Sequence, residues 1–73
     1  MSRITDHMPV LLREWRQYRA LSQEDLAALV GIQRSTIIDI ESGKRVPRPS
    51  TLRKLAQGLH VQPEDLYRAP RNS

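Results

Sequence analysis

Apolar residues recur along this chain at intervals of three and four positions, the spacing of helices that bury one face. No stretch shows the alternating β-branched pattern of a strand. The pattern therefore predicts an all-α fold built from five short helices. They are predicted to span residues 8–19, 23–30, 33 or 34 to 41 or 42, 49–59 and 62–67.

Capping residues mark the helix ends in the middle of the chain. Ser22, followed three positions later by Asp25, resembles a reciprocal N-terminal capping box. Gly31 and Gly43 can end the second and third helices, because glycine takes a positive φ without steric cost. Only two or three residues separate those two helices. So short a link, with its glycine, forces a sharp angle between them.

The third predicted helix carries two unlike faces. With about 100° between successive residues, its side chains divide into an inward and an outward set. The inward set is Gln33, Ile37 and Ile40, and the outward set is Arg34, Ser35, Ile38 and Asp39. The inward set is predicted to pack on the second helix and the core.

The outward set combines groups that suit base edges in a major groove. Arg34 can donate two hydrogen bonds to guanine, and Ser35 can donate or accept one. Ile38 can pack on a thymine methyl, and Asp39 can accept from the amino group of cytosine. The alternative is an ordinary exposed helix, because single exposed apolar side chains are common.

Charge favours an anionic partner. The net charge is +4, and residues 42–54 carry five cations and no acid. A local block of cations suits phosphate contact, although a solvated loop would have the same composition. We therefore expect nucleic acid as the partner. A membrane surface ranks lower, because the cations do not line one face of a long amphipathic helix.

Length and composition narrow the function classes. The 73 residues suffice for one small domain, predicted over 8–68 between an extension at 1–7 and a polar tail at 69–73. There is no Cys, no recognisable signal peptide and no membrane-length apolar run, so we expect a cytoplasmic protein. His7 and His60 have no acid, nucleophile or ligand set at useful spacing. We expect no enzymatic activity, no metal and no cofactor.

Several short motifs occur together in a characteristic order. They are LSQEDLA at 21–27, VGI at 30–32, STI at 35–37, IESGKR at 40–45, PSTL at 49–52 and LHVQPEDL at 59–66. With these motifs the chain, from Leu12 to Tyr67, resembles the Cro and phage-repressor type of helix-turn-helix, the XRE-like family. The resemblance implies a repressor-like five-helix bundle, with helices two and three forming the helix-turn-helix and helix three in the major groove of DNA.

The resemblance also implies roles for individual residues. The expected base-reading residues are Gln33, Arg34, Ser35, Ile38 and Asp39. The expected DNA backbone or mixed contacts are Gln23, Thr36, Lys44, Arg45 and Arg48, whereas Arg53 and Lys54 are either contacts or solvated surface. Arg16 and Glu41 correspond to an ion pair that holds the recognition helix against the first helix. The alternative is that they are two unrelated surface charges. If that pair is partly buried, removing one partner strands the other charge.

Four positions depart from the family pattern. Gln33 replaces the Ser or Thr that often caps helix three, so its cap is weaker. Asp39 brings a negative charge to a position that is usually uncharged or basic, where it either selects a base or pairs with a nearby arginine. Gly58 lies inside helix four and His60 stands where a glycine often follows it, which predicts a less regular helix end.

These observations together predict a sequence-specific DNA-binding transcriptional regulator that binds a palindromic operator as a homodimer. One recognition helix reads few base pairs, and a dimer doubles the contact. The candidate dimer residues, by resemblance, are Val61, Pro63, Leu66 and Tyr67, with Leu66 alternatively a core residue. The alternative function is a protein-interaction module or antitoxin-like partner protein that keeps the fold and binds DNA weakly or not at all.

Overall fold

The computed structural model describes residues 9–70, which form helices and no strand. The helices are α1 (Leu12–Tyr18), α2 (Gln23–Val30), α3 (Arg34–Ser42), α4 (Pro49–Leu59) and the 3₁₀-helix η1 (Pro63–Tyr67). The predicted all-α class is confirmed for these residues. The predicted extension 1–7, Met8 and residues 71–73 of the predicted tail lie outside them, and the domain boundaries stay a prediction.

The helix-turn-helix is formed by α2 and α3, as predicted. The Ser22 hydroxyl accepts the Asp25 N–H at 2.9 Å, and the Asp25 carboxylate accepts the Ser22 N–H at 3.0 Å. Gly31 ends α2 at a φ of +71°, and Gly43 ends α3 at +86°. The three residues 31–33 therefore turn the chain within one short link.

The first helix is shorter than predicted, because α1 begins at Leu12 rather than near Met8. Leu11 has a non-helical backbone (φ −89°, ψ 54°), and its N–H donates to the Leu66 carbonyl at 2.7 Å. The start of α1 is thus fixed by a contact with the far end of the chain. Pro9 precedes the helix and does not lie in its first turn.

The predicted fifth helix is wrong as an α-helix, since Pro63–Tyr67 forms one short 3₁₀ segment. Arg68 returns to an extended conformation (φ −122°, ψ 150°). The Trp15 indole N–H donates to the carbonyls of Asp65 and Arg68, at 3.0 and 2.8 Å. These tertiary hydrogen bonds stabilise the non-helical course of the chain after Tyr67.

One hydrophobic core joins all five segments. Its buried members are Leu12, Trp15, Leu26, Ala27, Ile37, Ile40, Leu55, Ala56, Leu59 and Leu66. Leu12 and Trp15 are the two buried residues of α1. Leu29, which the apolar pattern of α2 assigns to the same face, is 57% exposed and does not belong to the core.

The end of α4 is regular, contrary to the prediction from Gly58 and His60. The helix continues through Gly58 to Leu59, and His60 ends it in the left-handed conformation at a φ of +61°. A Cβ at position 58 would overlap Cγ1 of Val30. Gly58 is therefore the residue that lets α4 approach α2 closely.

The variant Gly58→Ala tests this close approach. Alanine in a helix interior is normally better than glycine by about 1 kcal/mol, but overpacking costs about 1–3 kcal/mol. Because Val30 is β-branched and stiff, we expect the free energy of unfolding to fall by about 1 kcal/mol, measured by urea denaturation. In a Val30→Ala background the same substitution should be neutral or stabilising. If Gly58→Ala in the wild-type background were more stable than the wild type, that result would contradict the close approach.

Candidate nucleic-acid interface

The two faces of α3 are separated in the structure. Ile37 and Ile40 are buried at 0% and 4% exposure, whereas Arg34 and Ser35 are exposed and Ile38 is 38% exposed. The assignment of Gln33 to the inward side is wrong. Gln33 is the N-cap, with an extended backbone (φ −65°, ψ 143°), so helical spacing does not apply to it and its side chain is exposed.

Asp39 lies half-buried at the edge of the outward set. Within residues 9–70 the only carboxylate in a salt bridge is that of Glu41, so the expected alternative, pairing of Asp39 with an arginine, is not found there. Its main-chain carbonyl accepts the N–H groups of Lys44 and Arg45, at 2.9 and 3.2 Å. The start of the basic loop, residues 44–48, is therefore fixed to the end of α3.

A groove runs between α3, the basic loop and the first turn of α4. Its volume is about 550 Å³. It is lined by Ile32, Thr36, Ile40, Arg45, Val46, Pro47, Arg48 and Thr51. Two guanidinium groups and two hydroxyl groups thus line one groove together with apolar side chains, which is an arrangement suited to an anionic strand such as a phosphate backbone.

The Glu41 carboxylate connects three helices. Arg16 Nε of α1 donates to Glu41 Oε2 at 2.6 Å, and Arg16 Nη2 donates to Oε1 at 3.1 Å. Gln23 Nε2, at the start of α2, donates to Oε1 at 3.1 Å. Arg13 Nε stands 3.5 Å from the same oxygen. The Glu41 side chain is only 1% exposed, so these donors replace the water that it has lost.

Burial and hydrogen bonding act on Glu41 in opposite directions. Burial of the carboxyl would raise its pKa, because the charged form is poorly solvated. The hydrogen bonds from Arg16 and Gln23 and the charge of Arg16 lower the pKa. Together they outweigh the effect of burial, so the pKa of Glu41 lies below its ordinary value. The ionised form of Glu41 therefore stabilises the folded state.

Only one N–H group of the Gln23 side chain takes part in this network. One of its amide N–H groups points to Glu41, while its amide oxygen and second N–H are not used in hydrogen bonds among the described residues. Its expected contact with DNA stays a prediction. A contact of that kind would be made by an amide whose orientation Glu41 fixes.

Comparison with known proteins identifies the architecture. A family model described as Helix-turn-helix (HTH_3) matches residues 12–66. The chain belongs to this helix-turn-helix family. The resemblance to the Cro and phage-repressor type is thereby confirmed, and the family is a class of DNA-binding regulators rather than of enzymes.

Several relatives of this helix-turn-helix chain are named as regulators. It is 48% identical over 59 residues to the uncharacterized HTH-type transcriptional regulator RghRB of Bacillus subtilis, covering 80% of this chain and 42% of that one. It is 43% identical over 60 residues to the transcriptional repressor RghR of the same organism, covering 80% and 44%. The chain thus spans less than half the length of these two relatives.

A solved structure supports the same fold. The restriction-modification controller protein C.AhdI from Aeromonas hydrophila matches with a TM-score of 0.73 and 42% identity. The match covers 75% of this chain and 83% of the C.AhdI chain. The likeness therefore extends over most of that controller chain.

The candidate dimer residues of this helix-turn-helix domain differ in exposure. Val61, Pro63 and Tyr67 are half-buried, but Leu66 is 0% exposed and belongs to the core. Leu66 is therefore wrong as an interface residue, because η1 turns its side chain inward. Its carbonyl, moreover, accepts the Leu11 N–H.

Several residues around the expected site were not predicted from the sequence. Thr51 and Val46 line the basic groove, and Val46 is 80% exposed. Arg13 approaches Glu41 from α1, and Tyr18, which is 46% exposed, lines the same depression as Val61. Val46 is an apolar residue between the cations of the loop, and this was the sequence feature that could have identified it. The other positions depend on how α1 and α4 pack.

Arg53 and Lys54 lie on α4. Both are exposed, but neither lines the basic groove. No group of three or more His, Cys, Asp or Glu side chains within 9–70 could hold a metal ion. No helix in that range is long and apolar enough to cross a membrane.

The variant Glu41→Gln tests the charge at the centre of this helix-turn-helix domain. Because the pKa of Glu41 is lower in the folded state, its stabilisation is present at neutral pH and is lost as the pH falls through the folded-state pKa. We expect the free energy of unfolding of Glu41→Gln to be about 3 kcal/mol below that of the wild type at neutral pH. This gap should narrow in acid. Urea denaturation over a pH series measures the gap.

Arg13→Ala is the matched control for Glu41→Gln. The Arg13 side chain is 57% exposed, and an exposed ion pair contributes less than about 1 kcal/mol. We therefore expect near wild-type stability. A gap for Glu41→Gln that is constant across the pH series would mean that its ionisation is not the source of stability.

Proposed function

We propose that this chain is a sequence-specific DNA-binding transcriptional regulator that binds a palindromic operator as a homodimer, with α3 in the major groove. The observation that carries the proposal is the outward face of α3, formed by Arg34, Ser35, Ile38 and Asp39. Gln33 extends the set of base-reading candidates at its N-terminal end. These side chains supply the donor, acceptor and apolar groups that distinguish base pairs.

The basic groove supports the same docking. Thr36 lies on α3 beside Arg45 and Arg48, so a backbone strand in the groove would run next to a helix placed among the bases. Lys44 is exposed at the start of the loop, and Gln23 lies at the N-terminus of α2. Contacts of this kind fix the register of a protein on the duplex, while base contacts specify the sequence.

A homodimer would make the site complete. One recognition helix contacts few base pairs, whereas two helices about 34 Å apart read successive turns of one groove. The half-buried residues Val61, Pro63 and Tyr67 are the proposed contact surface. Val61 borders a depression of about 310 Å³ together with Tyr18, which gives the surface an aromatic margin.

Binding to DNA selected from a randomised duplex library tests the proposed function. Once a preferred sequence is known, Arg34→Ala is compared on that sequence and on unrelated DNA by mobility shift. We expect a loss of about 1–3 kcal/mol on the preferred sequence and a much smaller loss on unrelated DNA.

Arg48→Ala is the charge-matched control for Arg34→Ala. It should weaken binding to both DNAs alike and flatten the logarithmic salt dependence by about 0.9 for one phosphate contact. Equal losses for Arg34→Ala on both DNAs would mean that α3 does not read bases.

Sedimentation with and without operator DNA tests the dimer. We expect Val61→Lys to shift the protein toward monomer, because it brings two like charges together in the interface while its long stem still covers the core. Ala28→Lys makes the same charge change on the exposed side of α2 and should leave assembly unchanged. A wild-type protein that is monomeric both free and on DNA would refute the homodimer.

A further inference from the structure

The Asp39 carboxylate is an acceptor that the described residues leave unused. Its side chain makes no salt bridge and no hydrogen bond within 9–70. The neighbouring Glu41, by contrast, receives its hydrogen bonds from Arg16 and Gln23. The two acids of α3 therefore differ in their partners. Glu41 is hydrogen-bonded within the protein, whereas Asp39 has no side-chain partner within the described residues and belongs to the outward face.

The position of Asp39 is unfavourable for the isolated protein and for general DNA binding. A negative charge in the second half of α3 opposes the helix dipole. DNA phosphates repel it as well, which works against the cations of the adjacent loop. No contact within the described residues offsets these costs, so a contact in the complex is the natural compensation.

The backbone at Asp39 is held firmly. Its carbonyl accepts the N–H groups of Lys44 and Arg45, and that of Ile40 accepts the Gly43 N–H at 3.2 Å. Ile40 and Ile37 are buried beneath it. A carboxylate carried on such a fixed helical turn presents its oxygens with little loss of backbone freedom, which is what discrimination between bases requires.

Base chemistry narrows the partner of this carboxylate. In the major groove guanine presents two acceptors and thymine presents one acceptor, so both repel a carboxylate. Adenine presents a donor, but its N7 acceptor stands beside it. Cytosine presents an amino donor without an adjacent acceptor on the same base. Cytosine is therefore the base that Asp39 tolerates best.

Helix geometry separates the base read by Asp39 from the base read by Arg34. The two residues are five positions apart, about 7.5 Å along the axis at 1.5 Å per residue. The rise per base pair is about 3.4 Å, so the two side chains can face different base pairs. Arg34 and Asp39 also stand at opposite edges of the outward face, with Ile38 and Ser35 between them.

We propose that Asp39 selects one cytosine in each half-site by accepting a hydrogen bond from its N4 amino group, and that a methyl group on this N4 blocks specific binding. This inference rests on the proposed function. It adds the identity of a base and a sensitivity to its modification.

The effect of the methyl group follows from base pairing. One N4 hydrogen of cytosine pairs with guanine O6, and the other faces the major groove. A methylated N4 that remains paired keeps the first hydrogen, so the methyl replaces the second. The donor for Asp39 is then lost, and an apolar group stands against the carboxylate.

Selection from a randomised duplex library with three proteins tests the choice of base. The wild type should enrich one fixed cytosine per half-site. Asp39→Asn should change that base alone to adenine, because an amide can pair with adenine N6 and N7, and Asp39→Ala should lose the preference there. Glu14→Ala, which removes an exposed acid of α1, is the matched control, and it should leave the cytosine unchanged. Identical enriched sequences from the wild type and both Asp39 variants would overturn the inference while leaving the proposed function intact.

A methylated operator tests the contact itself. One duplex carries N4-methylcytosine at the selected position, and its twin carries ordinary cytosine. We expect the wild type to bind the methylated duplex about tenfold more weakly, as for a mismatched base pair, and Asp39→Ala to bind both equally. An equal effect of the methyl on the two proteins would overturn the contact. A wild-type library without any enriched sequence would instead overturn the proposed function, and this inference with it.

Discussion

The buried Glu41 carboxylate is the interaction on which the arrangement of this domain depends. It lies on α3 and is reached by Arg16 from α1 and by Gln23 from α2. Desolvation of a carboxylate is costly, and only well-placed donors offset that cost. Because three helices supply the parts of one network, a shift of α1 or α3 would separate Arg16 from Glu41, and a shift of α2 would remove the hydrogen bond from Gln23. The network therefore fixes α3 relative to the rest of the fold.

The fixed position of α3 determines how its outward face is presented. Ile37 and Ile40 hold the helix from below, and the hydrogen bonds to the Asp39 carbonyl hold the basic loop at its end. The outward side chains and the cations of the groove are thus carried by one rigid unit. Recognition groups on a rigid element are oriented before they meet DNA, so less conformational entropy is lost on binding.

Much of the candidate site follows from spacing, but its connections do not. Helical spacing identifies the exposed positions Arg34, Ser35 and Ile38, because α3 is regular from its first residue. It fails at Gln33, which lies before the helix begins. It also gives no sign that Gln23 joins Glu41, because that contact depends on how two helices pack rather than on their sequences separately.

For the fold, the sequence by itself determined the class, the ends of α2 and α3 and the short turn between them. Capping and glycine conformation act over a few neighbouring residues, so their signals are present in the local sequence. Only the tertiary structure decided where α1 begins and that the last segment is a 3₁₀-helix. Those features depend on hydrogen bonds from Leu11 to Leu66 and from Trp15 to Asp65. The partners lie some fifty residues apart, and no local pattern encodes contacts over that separation.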